Sequence, residues 1–113
     1  MLRLCPSLLL VVMASACEPV VGDPCKIDSE CGATLVCDSV TTAEGYCTRS
    51  PCRVGECPPE AVCVDFGSET TWCMRSCSDS EGCRAGLTCR TGAKVLDEAA
   101  SGATPAFCGV AAP

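Results

Sequence analysis

The sequence predicts a small disulfide-rich fold of three tandem four-cysteine modules, with short β-hairpins and little other regular structure. Three observations lead to this prediction. The chain has 14 cysteines among 113 residues, a density typical of secreted disulfide scaffolds. After Ala16 it contains only 15 Leu, Ile, Val or Phe residues, too few for a core that could offset the conformational entropy lost on folding. The cysteines also recur at a nearly constant spacing, which indicates a repeated structural unit.

Residues 1–16 have the form of a secretory signal peptide. Arg3 is followed by an apolar run over residues 4–13 and by the small residues Ala14, Ser15 and Ala16. The apolar run is about half of the roughly 20 residues that a membrane-spanning helix needs. The segment therefore predicts export to an oxidising compartment, where disulfides form.

Cys17 is the predicted lipidation site. The residues Ala14-Ser15-Ala16-Cys17 resemble the lipobox of bacterial lipoproteins, with Ala14 where Leu is favoured. This resemblance implies cleavage before Cys17 and a diacylglycerol on its sulfur, so that residues 17–24 form a lipidated tether. Cleavage there leaves 13 cysteines, and acylation of one leaves an even number that can pair completely. The alternative is an ordinary cleavage site, with Cys17 unpaired or removed.

The other cysteines form three groups of four, which define modules 1 (25–51), 2 (52–76) and 3 (77–113). The groups are Cys25, Cys31, Cys37 and Cys47; Cys52, Cys57, Cys63 and Cys73; and Cys77, Cys83, Cys89 and Cys108. Their spacings are C-x5-C-x5-C-x9-C, C-x4-C-x5-C-x9-C and C-x5-C-x5-C-x18-C. We expect all of these cysteines to form disulfides within their own module. Four cysteines allow three pairings, and we favour the crossed one, first to third and second to fourth.

The third and fourth cysteines of each module are expected to bracket a β-hairpin. The clearest case has β-prone runs at 62–66 and 69–73 around a turn that contains Gly67. The longer loop of module 3 predicts a short helix over residues 93–100.

An aromatic residue precedes every fourth cysteine, as Tyr46, Trp72 and Phe107. We expect each ring to lie against the disulfides of its module as a miniature core. The alternative is that the three rings form an exposed ligand-binding row.

The cysteine spacing and the Gly45-Tyr46-Cys47 type of module ending resemble a known class of short repeats. Such repeats are common in bacterial cysteine-rich lipoproteins, and they are similar to the amino-terminal cysteine-rich region of Dickkopf proteins and to EB-type modules. The resemblance covers residues 25–108. It implies a surface-exposed, extracytoplasmic module and leaves its role open.

Several kinds of chemistry are disfavoured because the sequence lacks the residues that they need. It has no His and no C-x-x-C, which disfavours structural zinc, thiol redox catalysis and acyl transfer. Acidic residues precede each second cysteine, and we expect them to be solvated turn carboxylates rather than calcium ligands. They are Asp28, Glu30, Glu56, Asp79 and Glu81. We therefore expect no enzyme activity, no cofactor and no metal.

The net charge is −6 with scattered arginines, which disfavours binding to nucleic acid or to an anionic membrane through surface charge. We expect an exported surface protein, lipid-anchored at the bacterial outer membrane, that acts as a non-catalytic structural or protein-interaction module. No recognisable motif in the sequence identifies its protein partner. The alternative is a freely secreted disulfide-rich ligand, toxin or inhibitor.

Overall fold

A computed structural model describes residues 18–40, 42, 44–67, 69–97 and 105–110, so the predicted signal peptide and Cys17 lie outside the described residues. The described chain contains short strands and two 3₁₀ turns, and this confirms the small disulfide-rich class. The strands are β1 (Val36–Asp38), β2 (Tyr46–Thr48), β3 (Ala61–Asp65), β4 (Thr71–Cys77), β5 (Thr88–Arg90), β6 (Lys94–Val95) and β7 (Ala106–Gly109). The 3₁₀ turns are Asp28–Cys31 and Ser80–Gly82. Within the described ranges, no helix has the length and apolar character needed to cross a bilayer.

Six disulfides join the twelve module cysteines, and every one lies within a module. The pairs are Cys25–Cys37, Cys31–Cys47, Cys52–Cys63, Cys57–Cys73, Cys77–Cys89 and Cys83–Cys108. First cysteine bonds to third and second to fourth in all three modules, which is the crossed pairing expected from the sequence.

Each module contains the predicted antiparallel hairpin, and its third and fourth cysteines face each other across the two strands. The facing pairs are Cys37 and Cys47, Cys63 and Cys73, and Cys89 and Cys108. Neither cysteine of such a pair bonds to the other. Each bonds instead to one of the first two cysteines of its module, so the two disulfides fasten the segment before the hairpin to its strands.

Modules 2 and 3 share one antiparallel sheet, whereas module 1 keeps a separate two-stranded sheet. The shared sheet has the strand order β5-β7-β4-β3-β6. Strand β4 pairs with β3 along its first part and with β7 through Ser76 and Cys77. The boundary between the two modules at residues 76 and 77 therefore lies inside a continuous strand.

The long loop of module 3 does not begin with the predicted helix. Lys94–Val95 is strand β6 and pairs with Asp65 and Val64 of β3; residues 98–104 lie outside the described residues. Isolated helices this short are marginal in water. Pairing with β3 gives the backbone of this segment hydrogen-bond partners that an isolated short helix would hold only weakly.

The core consists of disulfides and a few large side chains, among which Val21, Val64 and Phe107 are fully buried. Val21 belongs to the segment expected to be a tether. Its neighbour Gly22 donates a backbone hydrogen bond of 2.9 Å to the Cys47 carbonyl. Val21 and Gly22, within the segment expected to be a tether, are therefore part of the folded core. An apolar side chain such as Val21 is more stable when buried than in solvent.

A candidate binding cleft between the modules

The three repeated aromatic residues occupy the same position in their hairpins. Each lies opposite the residue that follows the third cysteine. The facing pairs are Asp38 and Tyr46, Val64 and Trp72, and Arg90 and Phe107. The surroundings of the three rings nevertheless differ.

Tyr46 is a buried residue that connects all three modules. Its hydroxyl donates a hydrogen bond of 2.8 Å to the Cys108 carbonyl and accepts one of 2.9 Å from the Arg75 backbone N–H. The Arg84 guanidinium lies 5.6 Å from the ring centroid, a cation–π distance. Burial raises the pKa of Tyr46 to about 12.

Phe107 is also buried, and it has a cation over its ring. The Arg90 guanidinium lies 5.5 Å from the ring centroid, and its Nη1 donates a hydrogen bond of 3.0 Å to the Val110 carbonyl. The ring of Phe66 meets Phe107 edge-on, with 5.5 Å between centroids. Tyr46 and Phe107 are therefore both buried, as expected for core residues. Tyr46 belongs to the buried cluster that contains the disulfide cysteines, whereas the ring contacts of Phe107 are with Arg90 and with Phe66 of module 2.

Trp72 differs from the other two rings because it is only half-buried and lines a cleft. This cleft has a volume of about 300 Å³ and is lined by Asp38, Thr42, Tyr46, Thr48, Phe66, Trp72, Met74, Arg90, Gly109 and Val110. All three modules contribute to it. Phe66 and Val110 are 41% and 46% exposed, so apolar surface remains accessible at the cleft. The volume is at the lower end of the range for ligand pockets.

The polar groups of the cleft are few. Two of them are charged, with opposite signs, and these are Asp38 and Arg90. Thr42 Oγ1 and Arg90 Nε are buried and have no hydrogen-bond partner among the described residues. This lining of aromatic rings, Met74 and isolated polar groups suits the binding of one side chain or small group.

Four of the five acidic residues considered as calcium ligands accept hydrogen bonds from backbone N–H groups of their own module. Asp28 accepts a hydrogen bond of 2.8 Å from the Cys37 N–H, and Asp79 accepts one of 3.2 Å from the Gly82 N–H. Glu30 accepts from the N–H groups of Lys26 and Ile27, which lowers its pKa. Glu56 accepts from the Arg53 N–H, whereas Glu81 is exposed. Four of these five carboxylates are therefore turn-stabilising groups.

Three cysteine sulfurs approach one another within 4.8 Å in each module, a separation that would suit a metal cluster. Every one of them is bonded in a disulfide. Zinc binds thiolates, so these sulfurs are not available as thiolate ligands in the oxidised protein.

Several cleft residues were not identified from the sequence, including Phe66, Thr42 and Arg90. Arg84 and Arg90 directly follow the second and third cysteines of module 3, and that placement was the available signal. No family model matches the chain, and no curated protein or solved structure matches it either. The disulfides indicate an extracytoplasmic protein.

Proposed function

We propose that this chain is an exported, lipid-anchored surface protein whose folded part binds another protein and has no catalytic role. The observation that carries the proposal is the cleft, where side chains of three modules converge and Phe66 and Val110 stay exposed. Exposed apolar side chains beside a concave site are typical of interaction surfaces.

The disulfide pairing supports the proposed acylation of Cys17. The twelve module cysteines bond among themselves, so none of them is left to pair with Cys17. A lipobox-like sequence ending at Cys17 and a complete pairing downstream both favour an acyl chain on this sulfur.

The buried position of Val21 has a consequence for an acylated protein. Val21 is four positions after Cys17, and an extended chain of that length spans at most about 14 Å. The folded part would then lie close to the membrane surface, with the cleft available to a partner in the same membrane or facing it.

Anchoring is tested in the native host by detergent partitioning and by the mass of the mature N-terminal peptide. The expected result is an acylated Cys17 in the detergent phase. A soluble mature chain without acyl mass would reject the anchor and favour the freely secreted ligand, toxin or inhibitor.

Protein binding is tested in intact cells with a photo-crosslinking residue in place of Phe66. The matched control places the same residue at Val54, which is 65% exposed and is not among the cleft residues. A discrete cross-linked protein is expected from position 66 and not from position 54. Equal cross-linking at both positions, or none at position 66, would count against an interaction role for the cleft.

A further inference from the structure

We infer that the cleft binds a cationic side chain, arginine or lysine, of a protein partner, with Trp72 as the ring that receives it. This inference rests on the proposed function as a protein-interaction module and specifies the partner's chemistry. It follows from a difference between modules that otherwise repeat.

In modules 1 and 3 the aromatic residue before the fourth cysteine already has a guanidinium over its ring. Arg84 covers Tyr46 at 5.6 Å and Arg90 covers Phe107 at 5.5 Å. Both arginines come from module 3. Within the described ranges, no cation lies over the Trp72 ring, although Trp72 occupies the equivalent position in module 2.

Trp72 is also the best suited of the three rings for such a contact, because indole binds cations more strongly than phenol or benzene. It is only partly buried, and it shares the cleft with the partly exposed ring of Phe66. A cation that enters the cleft can therefore approach aromatic surface from solvent.

The charge of the chain favours a basic partner. The formal net charge of the chain is −6. Asp38 and Arg90 contribute one charge of each sign to the lining of the cleft. The net negative charge of the molecule therefore favours the approach of a cation over that of an anion.

A neutral apolar side chain is the competing occupant, and a pair of matched peptides separates the two. The probe is an acetylated and amidated Gly-Arg-Gly-Arg-Gly peptide; its control replaces each arginine with citrulline, which has nearly the same shape without the charge. A third peptide carries leucine at the same positions. Trp72 is the single tryptophan of the chain, so its fluorescence reports binding at the cleft, and calorimetry gives the affinities.

The oxidised full-length mature protein is expected to bind the arginine peptide more tightly than the citrulline or leucine peptide. The Trp72→Leu variant keeps the net charge, so general attraction persists while the ring contact is lost. Its arginine-to-citrulline affinity ratio should fall by about two- to five-fold, as expected for a partly exposed cation–π contact. Trp72→Phe should retain part of the preference for the arginine peptide. It replaces Trp72→Leu as the test variant if Trp72→Leu does not fold.

An unchanged affinity ratio in Trp72→Leu would overturn the inference, because it would assign binding to surface charge alone. Equal or tighter binding of the citrulline or leucine peptide would overturn it in favour of a neutral occupant. If the cross-link from position 66 forms while the arginine preference is absent, protein binding stands and only the cationic specificity fails.

Discussion

The Tyr46 hydroxyl donates a hydrogen bond of 2.8 Å to the carbonyl oxygen of Cys108, which lies 62 residues further along the chain. The same hydroxyl accepts from the Arg75 N–H, so one side chain connects the backbones of all three modules. A protein with so few apolar residues thus uses a buried polar contact to hold its modules together and to form one wall of the cleft.

Tyr46→Phe should destabilise the protein by about 1–3 kcal/mol, because it leaves a buried carbonyl and a partly buried N–H without a partner. The measurement is denaturant unfolding with the disulfides intact. The matched control is Thr88→Val. The Thr88 hydroxyl makes only a long contact of 3.5 Å with the Gly109 carbonyl, so its loss should destabilise the protein by less than about 0.5 kcal/mol. Equal effects of the two changes would contradict the connecting role of Tyr46.

Tyr46 should also make stability fall at high pH. Its pKa is about 12 in the folded protein, whereas that of an unfolded tyrosine is about 10. The neutral phenol therefore stabilises the fold fully below pH 10, and this contribution is lost between about pH 10 and 12. Tyr46 is the only tyrosine, so tyrosinate absorbance during a pH titration reports it directly. An ordinary pKa near 10 with intact structure would contradict the burial of the hydroxyl.

Asp97 joins the loop of module 3 to module 2 by two hydrogen bonds. In modules 1 and 3, the residue three positions before the second cysteine accepts a hydrogen bond from the N–H of the third cysteine. These acceptors are Asp28 for Cys37 and Ser80 for Cys89. Module 2 has Val54 at this position, which cannot accept. Asp97 supplies the missing acceptor, at 2.6 Å from the Cys63 N and 2.8 Å from the Gly55 N.

Asp97→Ala should therefore destabilise the protein by about 2–3 kcal/mol, since it removes two hydrogen bonds to a carboxylate. Amide hydrogen exchange should show lower protection at Cys63, and Asp97→Asn should retain part of it. Asp65→Ala is a control, because its carboxylate accepts from the exposed Gly67 N–H within a turn. Unchanged exchange at Cys63 would show that the Asp97 carboxylate does not protect the Cys63 N–H.

Gly45 should tolerate no side chain. It has φ +78°, and a Cβ there would overlap the Cys25 carbonyl oxygen. Gly67 has a similar φ of +84° with open space around it, so Gly67→Ala isolates the conformational cost of about 1 kcal/mol. We expect oxidative refolding of Gly45→Ala to give a much lower yield of the correctly paired protein than Gly67→Ala. Comparable yields would contradict the close packing at Gly45.

The sequence by itself determined the features that depend on local spacing. Cysteine intervals predicted the three hairpins, and the shortage of apolar residues predicted a core made largely of disulfides. Both are short-range consequences of covalent geometry and composition, so they could be predicted without knowing how the modules pack.

Only the tertiary structure decided how the modules join and which aromatic ring remains accessible. Tyr46, Trp72 and Phe107 are equivalent in the sequence, but Arg84 and Arg90 cover only two of them. The segment at Lys94–Val95 likewise forms a strand because β3 offers a hydrogen-bonding edge to it, through Val64 and Asp65. Such choices depend on contacts between residues distant along the chain, and local residue preferences do not specify those contacts.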